Sequence, residues 1–390
     1  MVSIALLGFG CVGSGTAEVL TENKQIIEER LGCEYQIKYI LDLREFPDSP
    51  FGNLVVHDFN TILNDKDVTV VAEMMGGSHP AYEFTKACLE LGKSVITSNK
   101  EVVAKYGVEL CEIAAKSGAR YMFEASVGGG IPLIRPMTVD LASNKIKKIN
   151  GILNGTTNYI ITSMRDAGVS FEDALREAQR LGYAEANPEA DVEGIDAARK
   201  AVILGAVSTG KLISPEIIHR EGITKITLSD VALARKLGYE IKLIGYVEDV
   251  NGKLMCFVSP MAVPTCNPLA RVDDVFNGVL INANMVGEVM FYGPGAGKLP
   301  TASAVVADIV DVIAKRNTEA TPLGWIAAAE SDVADFSEFS CRRMVVTSKS
   351  VDGSVEADGV YAYISDAMTE KDAEALKAED NSIIAIYRML

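Results

Sequence analysis

Residues 8–13 read Gly-Phe-Gly-Cys-Val-Gly, and no other stretch restricts the possible fold as strongly. Ahead of them Ser3–Leu7 is an unbroken apolar run, the pattern of a strand buried on both faces of a parallel sheet. Behind them Ser14–Leu20 reads as helix. A strand, a Gly-x-Gly-x-x-Gly turn and a helix open a doubly wound α/β fold. Gly8 permits the tight turn, Gly10 lets backbone approach a pyrophosphate, and Gly13 allows the helix to pack closely. Phe9, Cys11 and Val12 complete the turn, and the helix N-terminus offers amides and partial positive charge to phosphates. The expectation is a dinucleotide-binding domain.

The next segments extend that sheet. Tyr35–Leu41 reads as a second strand ending in Asp42. An acid there either hydrogen-bonds a ribose 2′-hydroxyl, repelling a 2′-phosphate, or simply starts a turn. Arg44, two residues on, could offset that charge. Val68–Glu73 is another buried strand, and Met75-Gly76-Gly77-Ser78-His79-Pro80 opens a helix through Leu91. Ser94–Thr97 delivers Ser98, Asn99 and Lys100 at a strand's carboxyl end, the end that faces the ligand crevice in such sheets. Lys100 either lines that crevice or is a solvated lysine starting helix Glu101–Ser117. Tyr121–Glu124 reads as a strand, followed by Ala125-Ser126-Val127-Gly128-Gly129-Gly130-Ile131-Pro132. This rigid irregular loop either turns the chain into the next domain or presents carbonyls which, with Glu124, could hold a hard cation.

A second chemical centre lies at Gly182–Lys200, where Glu185, Glu189, Asp191, Glu193 and Asp196 precede Arg199 and Lys200. Pro188 lacks an amide donor and biases Asn187 toward extended geometry, so the first part cannot be regular helix. Beyond Gly194 a helical run begins at Ile195, and Asp196 and Lys200 share one of its faces. The acids sit in a loop shaped by Pro and Gly just before an apolar helix, which suggests a polar pocket rather than a solvated face. Around it an α+β layer is expected: a strand at Ile146–Leu153, the polar turn Asn154-Gly155-Thr156-Thr157-Asn158, and helices Tyr159–Ala167, Ser170–Leu181 and Ser229–Leu237. Strands near Ile241–Val247 and Leu254–Ser259 follow, with a last one at Gly287–Phe291. The glycine loop ending at Gly297 then leads helix Thr301–Ala314 back to the first domain.

Composition removes several classes of function. The 390 residues suffice for two or three domains. A net charge of −16 argues against nucleic acid and anionic membrane as partners. No apolar run is long enough to span a bilayer, and Met1–Gly10, with no basic residue before it, reads as a buried strand rather than a signal peptide. The seven cysteines are odd in number and widely spaced, which suggests neither a zinc knot nor a disulfide framework and points to a reducing cytoplasm. The three histidines are far apart and read as structural or surface groups.

Taken in order, Gly8–Gly13, Thr97–Lys100, Glu124–Pro132, Gly151–Ile160, Gly182–Lys200 and Gly293–Ala304 resemble homoserine dehydrogenases across roughly residues 1–320. Asn-Gly-Thr-Thr-Asn-Tyr-Ile and Asp-Val-Glu-Gly-Ile-Asp-Ala-Ala-Arg-Lys are the most specific segments. The resemblance implies reversible NAD(P)-dependent reduction of L-aspartate 4-semialdehyde to L-homoserine, in threonine, methionine and isoleucine biosynthesis. It implies Lys200 as acid/base, supported by Asp196, with Lys100 lining the cofactor and substrate cleft. Gly182, Tyr183, Glu185, Asp191, Asp196 and Thr156 would bind substrate, Glu185 facing its ammonium. Gly8–Gly13, Asp42, Arg44, Gly76, Ser98, Lys100 and Gly297 would bind the cofactor. Glu124 with the carbonyls of Val127, Gly129 and Ile131 would hold Na⁺. Relatives often carry Arg before the acid that ends the second strand; here Leu41 stands there, which favours NAD over NADP.

The expected architecture is therefore a Rossmann-type doubly wound parallel sheet over residues 1–132 plus about 293–320. A substrate and dimerisation domain covers 133–292, and a small C-terminal module, 330–390, resembles a truncated ACT domain. The expected assembly is a homodimer. Two other readings compete. A non-catalytic NAD-binding regulatory protein would lose the lysines, yet Lys100 and Lys200 are both present. An acyl-phosphate-forming semialdehyde dehydrogenase needs a Cys nucleophile beside a base, whereas Cys88 and Cys111 fall on apolar helix faces.

Overall fold

The computed structural model describes all 390 residues, Met1–Leu390. The chain divides into two compact units: Met1–Ser143, Ala206–Ser214 and Pro294–Ala327 form one, and Asn144–Gly205, Pro215–Gly293 and Ala328–Leu390 the other.

The first unit is built on six strands: β1 (Val2–Leu7), β2 (Tyr35–Leu41), β3 (Val55–Val56), β4 (Val68–Glu73), β5 (Ser94–Thr97) and β6 (Tyr121–Met122). Their order is β3-β2-β1-β4-β5-β6, and every pairing is parallel. The order reverses between β1 and β4, which puts a ligand crevice at the carboxyl ends of those two strands. Burial on both faces explains the near-continuous apolar runs: Ile4 through Leu7 are all inaccessible. Helix Lys298–Ala314 crosses helix Cys11–Glu22 at Gly15, where a Cβ would fall 2.8 Å from the Lys298 carbonyl oxygen. Residues after Gly293 thus return to this unit, burying Val305, Ile309 and Val312 against its core.

The second unit carries a ten-stranded sheet. Nine strands run in the order Gly287–Pro294, Phe276–Ala283, Ile146–Ile152, Tyr239–Val250, Lys253–Pro264, Ile383–Met389, Arg343–Thr347, Val360–Ile364 and Val355–Ala357. The short strand His219–Arg220 pairs beside Phe257 and Val258. Helices Gly155–Ala167, Phe171–Arg180 and Leu228–Lys236 belong to this unit.

Several boundaries differ from the sequence reading. Residues 330–390 do not stand apart: they fall within the second unit, and strand Ile383–Met389 continues its sheet through the parallel pairs Met261–Arg388 and Ala262–Met389. Main-chain pairing across segments far apart in sequence leaves no local signal. Strand β6 stops at Met122, because Glu124–Ser126 form a 3₁₀ turn. Strands Phe276–Ala283, Val355–Ala357 and Val360–Ile364 were not anticipated. Helices beginning at Cys11, Gly155 and Lys298 start earlier than expected. The polar and glycine residues read there as turns occupy first helical turns, whose amides have no intrahelical partner in any case.

Candidate active site

In the first unit, the 8–13 turn has the geometry of a phosphate cradle. Gly8 has φ +91°, and a Cβ on Gly13 would fall 2.0 Å from the Gly8 carbonyl oxygen. Gly10 is the opposite case: nothing lies within 4 Å of where its Cβ would be. Helix Cys11–Glu22 starts there with no side-chain cap and no acid in its first turn. Uncapped amides, a dipole end and open space fit a pyrophosphate.

Asp42 lies beside this turn. Its Oδ2 accepts from the Phe9 amide at 2.8 Å, and Arg44 clamps both oxygens, Nε to Oδ1 and Nη2 to Oδ2, each at 3.0 Å. The Arg44 guanidinium, with the Arg44 and Phe9 amides, outweighs partial burial and holds the Asp42 carboxyl well below the usual carboxylate range. Asp42 thus organises the turn and keeps a negative charge beside it.

The loops after β4 and β5 are tied together by Glu73, which is wholly inaccessible. Its carboxylate accepts from the Thr97 hydroxyl at 2.6 Å and the Met75 amide at 2.7 Å. Burial pushes its pKa up to about 7 despite those bonds. Asn99 donates to the Gly77 carbonyl at 2.7 Å and caps helix Lys100–Ser117 by accepting from the Val102 amide. Lys100, half-buried, is the first residue of that helix; Ser98 is half-buried and Gly76 exposed. Gly297, with φ +119°, caps helix Lys298–Ala314.

The loop read as a cation site is held differently from the expectation. The Glu124 carboxylate accepts from the amides of Leu133, Ile134 (2.8 Å) and Arg135 (2.7 Å). It thereby caps the turns that follow, which occupies most of its acceptor capacity. Gly129 packs on the other glycine loop: a Cβ there would fall 2.4 Å from the Gly295 oxygen. Beneath, the fully buried Asp308 accepts from the Glu124 amide at 2.9 Å and from Arg135 at 2.7 Å. Burial and the neighbouring Glu124 charge push its pKa up to about 7.

In the second unit, Lys200 and Asp196 lie one turn apart on helix Ile195–Thr209, and both are buried. Lys200 Nζ donates to Asp196 Oδ2 and to the Leu153 carbonyl, each at 2.7 Å. Asn154 binds the rest together. Its amide nitrogen donates to Asp191 Oδ1 at 2.7 Å and Asp196 Oδ2 at 2.9 Å, while its oxygen caps helix Gly155–Ala167 at Thr157. Pro188 starts the one-turn helix Glu189–Val192, and Gly194, with φ +73°, turns the chain into the next helix. Thr156 donates to the Tyr183 carbonyl at 2.7 Å, and Tyr159 packs edge-on against the Tyr183 ring. Gly182, at φ +78°, ends the preceding helix; Tyr183 and Glu185 are exposed. Thr156, Gly182, Tyr183, Asp191, Asp196 and Lys200 are thus gathered on neighbouring segments, with Glu185 beside them. Asn154 was not anticipated, although an Asn before Gly155-Thr156-Thr157 is a helix-cap signal. Nor were Glu73 and Thr97, whose partnership depends on strand pairing.

A buried ammonium fixed by a carboxylate and a carbonyl suits proton transfer to or from a substrate oxygen. Comparison with known proteins agrees. Residues 8–124 match the family profile "Homoserine dehydrogenase, NAD binding domain", and residues 132–310 match "Homoserine dehydrogenase". The homoserine dehydrogenase of Neisseria gonorrhoeae is 44% identical over 317 residues, 80% of this chain and 72% of that one. That of Helicobacter pylori is 36% identical over 95% of this chain and 86% of its own. The crystal structure of a homoserine dehydrogenase from Thiobacillus denitrificans superposes with a TM-score of 0.92 at 34% identity, covering 100% of this chain and 98% of that one. A hyperthermophilic archaeal homoserine dehydrogenase mutant in complex with NADPH covers 80% of this chain and 97% of its own, with a TM-score of 0.68 and 31% identity. With that sequence identity and that fold, the chain belongs to the homoserine dehydrogenase family, NAD(P)-dependent oxidoreductases acting on a CH–OH group.

Proposed function

We propose that the chain interconverts L-homoserine and L-aspartate 4-semialdehyde, with Lys200 as the acid/base. The observation that carries this is the buried Lys200–Asp196 pair at 2.7 Å, held by Asn154 and the Leu153 carbonyl. The nicotinamide cofactor, when bound, supplies or accepts the hydride. In reduction, Lys200 donates its proton to the aldehyde oxygen as negative charge develops there. In oxidation, Lys200 must first be neutral, and then takes the proton of the homoserine hydroxyl. Asp196 keeps Nζ in place and balances its charge. Asp191 and Glu185, both carboxylates, suit the substrate's ammonium, and Thr156, Gly182 and Tyr183 shape the segment that presents them. Lys100, in the cofactor-binding unit, is the second lysine of this reading.

The residues of the 8–13 turn would hold the cofactor's pyrophosphate, with Gly76, Ser98 and Gly297 on neighbouring loops. NAD(H) is the preferred form in this reading: Asp42 accepts from a ribose hydroxyl and repels a 2′-phosphate, and Arg44 is already paired to Asp42. Carbonyls of Val127, Gly129 and Ile131 suit a monovalent ion such as Na⁺ better than a divalent one. A homodimer through the second unit is supported by its edge strand Gly287–Pro294, where Tyr292 and the adjacent Met285 and Val286 are exposed. A reducing cytoplasm is supported by seven free cysteines. No helix is long and apolar enough to cross a membrane.

The test is the absorbance of reduced nicotinamide when L-homoserine is added with NAD or NADP. Growth with at least one cofactor is expected. Folded protein that turns over neither would overturn the assignment.

A further inference from the structure

Residues 340–390 hold a buried ionic cluster that reaches, through the part-exposed Glu221, toward the segment carrying Asp191, Asp196 and Lys200. Arg343 and Arg388 are almost fully buried and share one carboxylate. Arg343 Nη1 donates to Glu370 Oε1 at 2.7 Å, while Arg388 reaches Oε1 through Nε at 2.7 Å and Oε2 through Nη2 at 2.8 Å. The same Arg388 Nη2 continues to Glu221 Oε1 at 2.9 Å. His219 Nε2 meets that oxygen at 2.6 Å, its ring stacked on Phe336 at 3.9 Å. Burial raises the Glu221 carboxyl, but His219 and Arg388 outweigh it and bring it down to about 2. It stays ionised between Arg388 and the His219 ring.

Glu221 is followed at once by a corner that fits tightly under the catalytic segment. The Ile223 amide donates to the Val192 carbonyl at 2.8 Å, and the Thr224 hydroxyl donates to Glu193 at 3.0 Å. A Cβ on Gly222 would fall 2.2 Å from the Val192 oxygen, and one on Gly194 would fall 3.3 Å from the Glu221 oxygen. The corner and the turn that leads into Asp196 are in direct contact, which gives a shift of Glu221 a path to Val192–Gly194.

We propose that Arg388 is a positioning residue for the active site, setting the place of Asp191, Asp196 and Lys200 through Glu221 and the Gly222–Ile223 corner. Residues 340–390 thereby become part of the catalytic apparatus without touching substrate. This rests on the functional reading above.

Arg388→Gln, Arg388→Lys and Glu221→Gln test it, with Val345→Ala as a control that injures the strand carrying Arg343 at an apolar side chain outside the relay. Small misplacements of catalytic groups cost up to ~10²-fold, so Arg388→Gln and Glu221→Gln should lower kcat/KM for homoserine about tenfold or more. The KM for the cofactor should stay within about twofold of wild type, because the 8–13 turn and Asp42 belong to the other unit. Arg388→Lys, which keeps charge but loses the fork, should recover part of the loss. Val345→Ala, with a comparable loss of Tm, should keep its kcat/KM. Hydrogen exchange of amides 189–200 asks the same question without turnover, and should quicken in Arg388→Gln and Glu221→Gln but not in Val345→Ala. If Arg388→Gln does not fold, the milder Glu221→Gln decides. Unchanged exchange and kcat/KM in the folded relay variants, or equal effects in Val345→Ala, would overturn the proposal. Wild type inactive on homoserine would sink the functional reading alone, and the exchange result would still decide the relay.

Discussion

Asp196 Oδ2 lies 2.7 Å from Lys200 Nζ, one helical turn away, with both residues buried. A buried ion pair is weak evidence of stabilisation, since desolvation offsets much of the attraction. This one is better explained by what it keeps available: a proton on a nitrogen that is fixed in direction.

Lys200→Ala should therefore lower kcat by ~10²-fold or more, the usual scale for lost acid/base catalysis. Lys200→Arg should not rescue it, because a guanidinium hardly deprotonates. Oxidation of homoserine needs Lys200 neutral and reduction needs it protonated, so oxidation should gain on reduction as pH rises. Steady-state rates in both directions check this, and near-normal turnover in Lys200→Ala would move the role elsewhere, Lys100 being the next candidate.

Asn154 donates to two carboxylates at once and caps a helix. Asn154→Ala should cost about 1 kcal/mol of stability from the lost cap alone. Asn154→Asp keeps the cap but sets a third carboxylate against Asp191 and Asp196. It should lower kcat/KM for homoserine by more than about tenfold, since it replaces a hydrogen bond with like-charge repulsion. Thermal denaturation and kinetics together separate the two effects.

In the proposed reading, Asp42 and Arg44 set cofactor choice. The wild type should show a higher kcat/KM with NAD(H) than with NADP(H). Asp42→Ala removes the repulsion and frees Arg44, so the ratio should move toward NADP(H), by about tenfold if one charge contact of roughly 1.4 kcal/mol is exchanged. A wild type that strongly prefers NADP(H) would mean that Arg44 overrides Asp42.

Glu73 gives a pH signature. Its pKa is raised to about 7 by burial. A carboxyl raised in the folded state binds more protons there than in the unfolded chain. Its contribution is full below the unfolded value, ~4.3, and is lost as pH rises through about 7. Asp308, pushed up to about 7 as well, acts in the same direction. Glu73→Gln should therefore flatten the fall in stability between about pH 5 and 8, by up to about 3 kcal/mol. Denaturant midpoints of the two proteins across that range decide it; parallel curves would show that Glu73 does not titrate there.

The first unit was largely legible in the sequence because its signals are local. An apolar run, a glycine turn and a helix follow one another within about twenty residues, and the carboxyl ends of buried parallel strands must face a ligand crevice. The Asp196–Lys200 pair was legible for the same reason, since helical periodicity alone puts four-apart residues on one face. What tertiary structure decided is everything that requires distant segments to meet. Glu124 was readable as an acid beside carbonyls, but only the fold turns its oxygens onto three backbone amides. Asn154 joins Asp191 and Asp196 across 37 and 42 residues of chain. Arg388 reaches Glu221 across 167, and strand pairing at Met261 carries residues 340–390 into the second unit's sheet. Hydrogen bonds and ion pairs act over about 3 Å, so sequence determines which groups are available, and only the packed chain decides which of them come within reach.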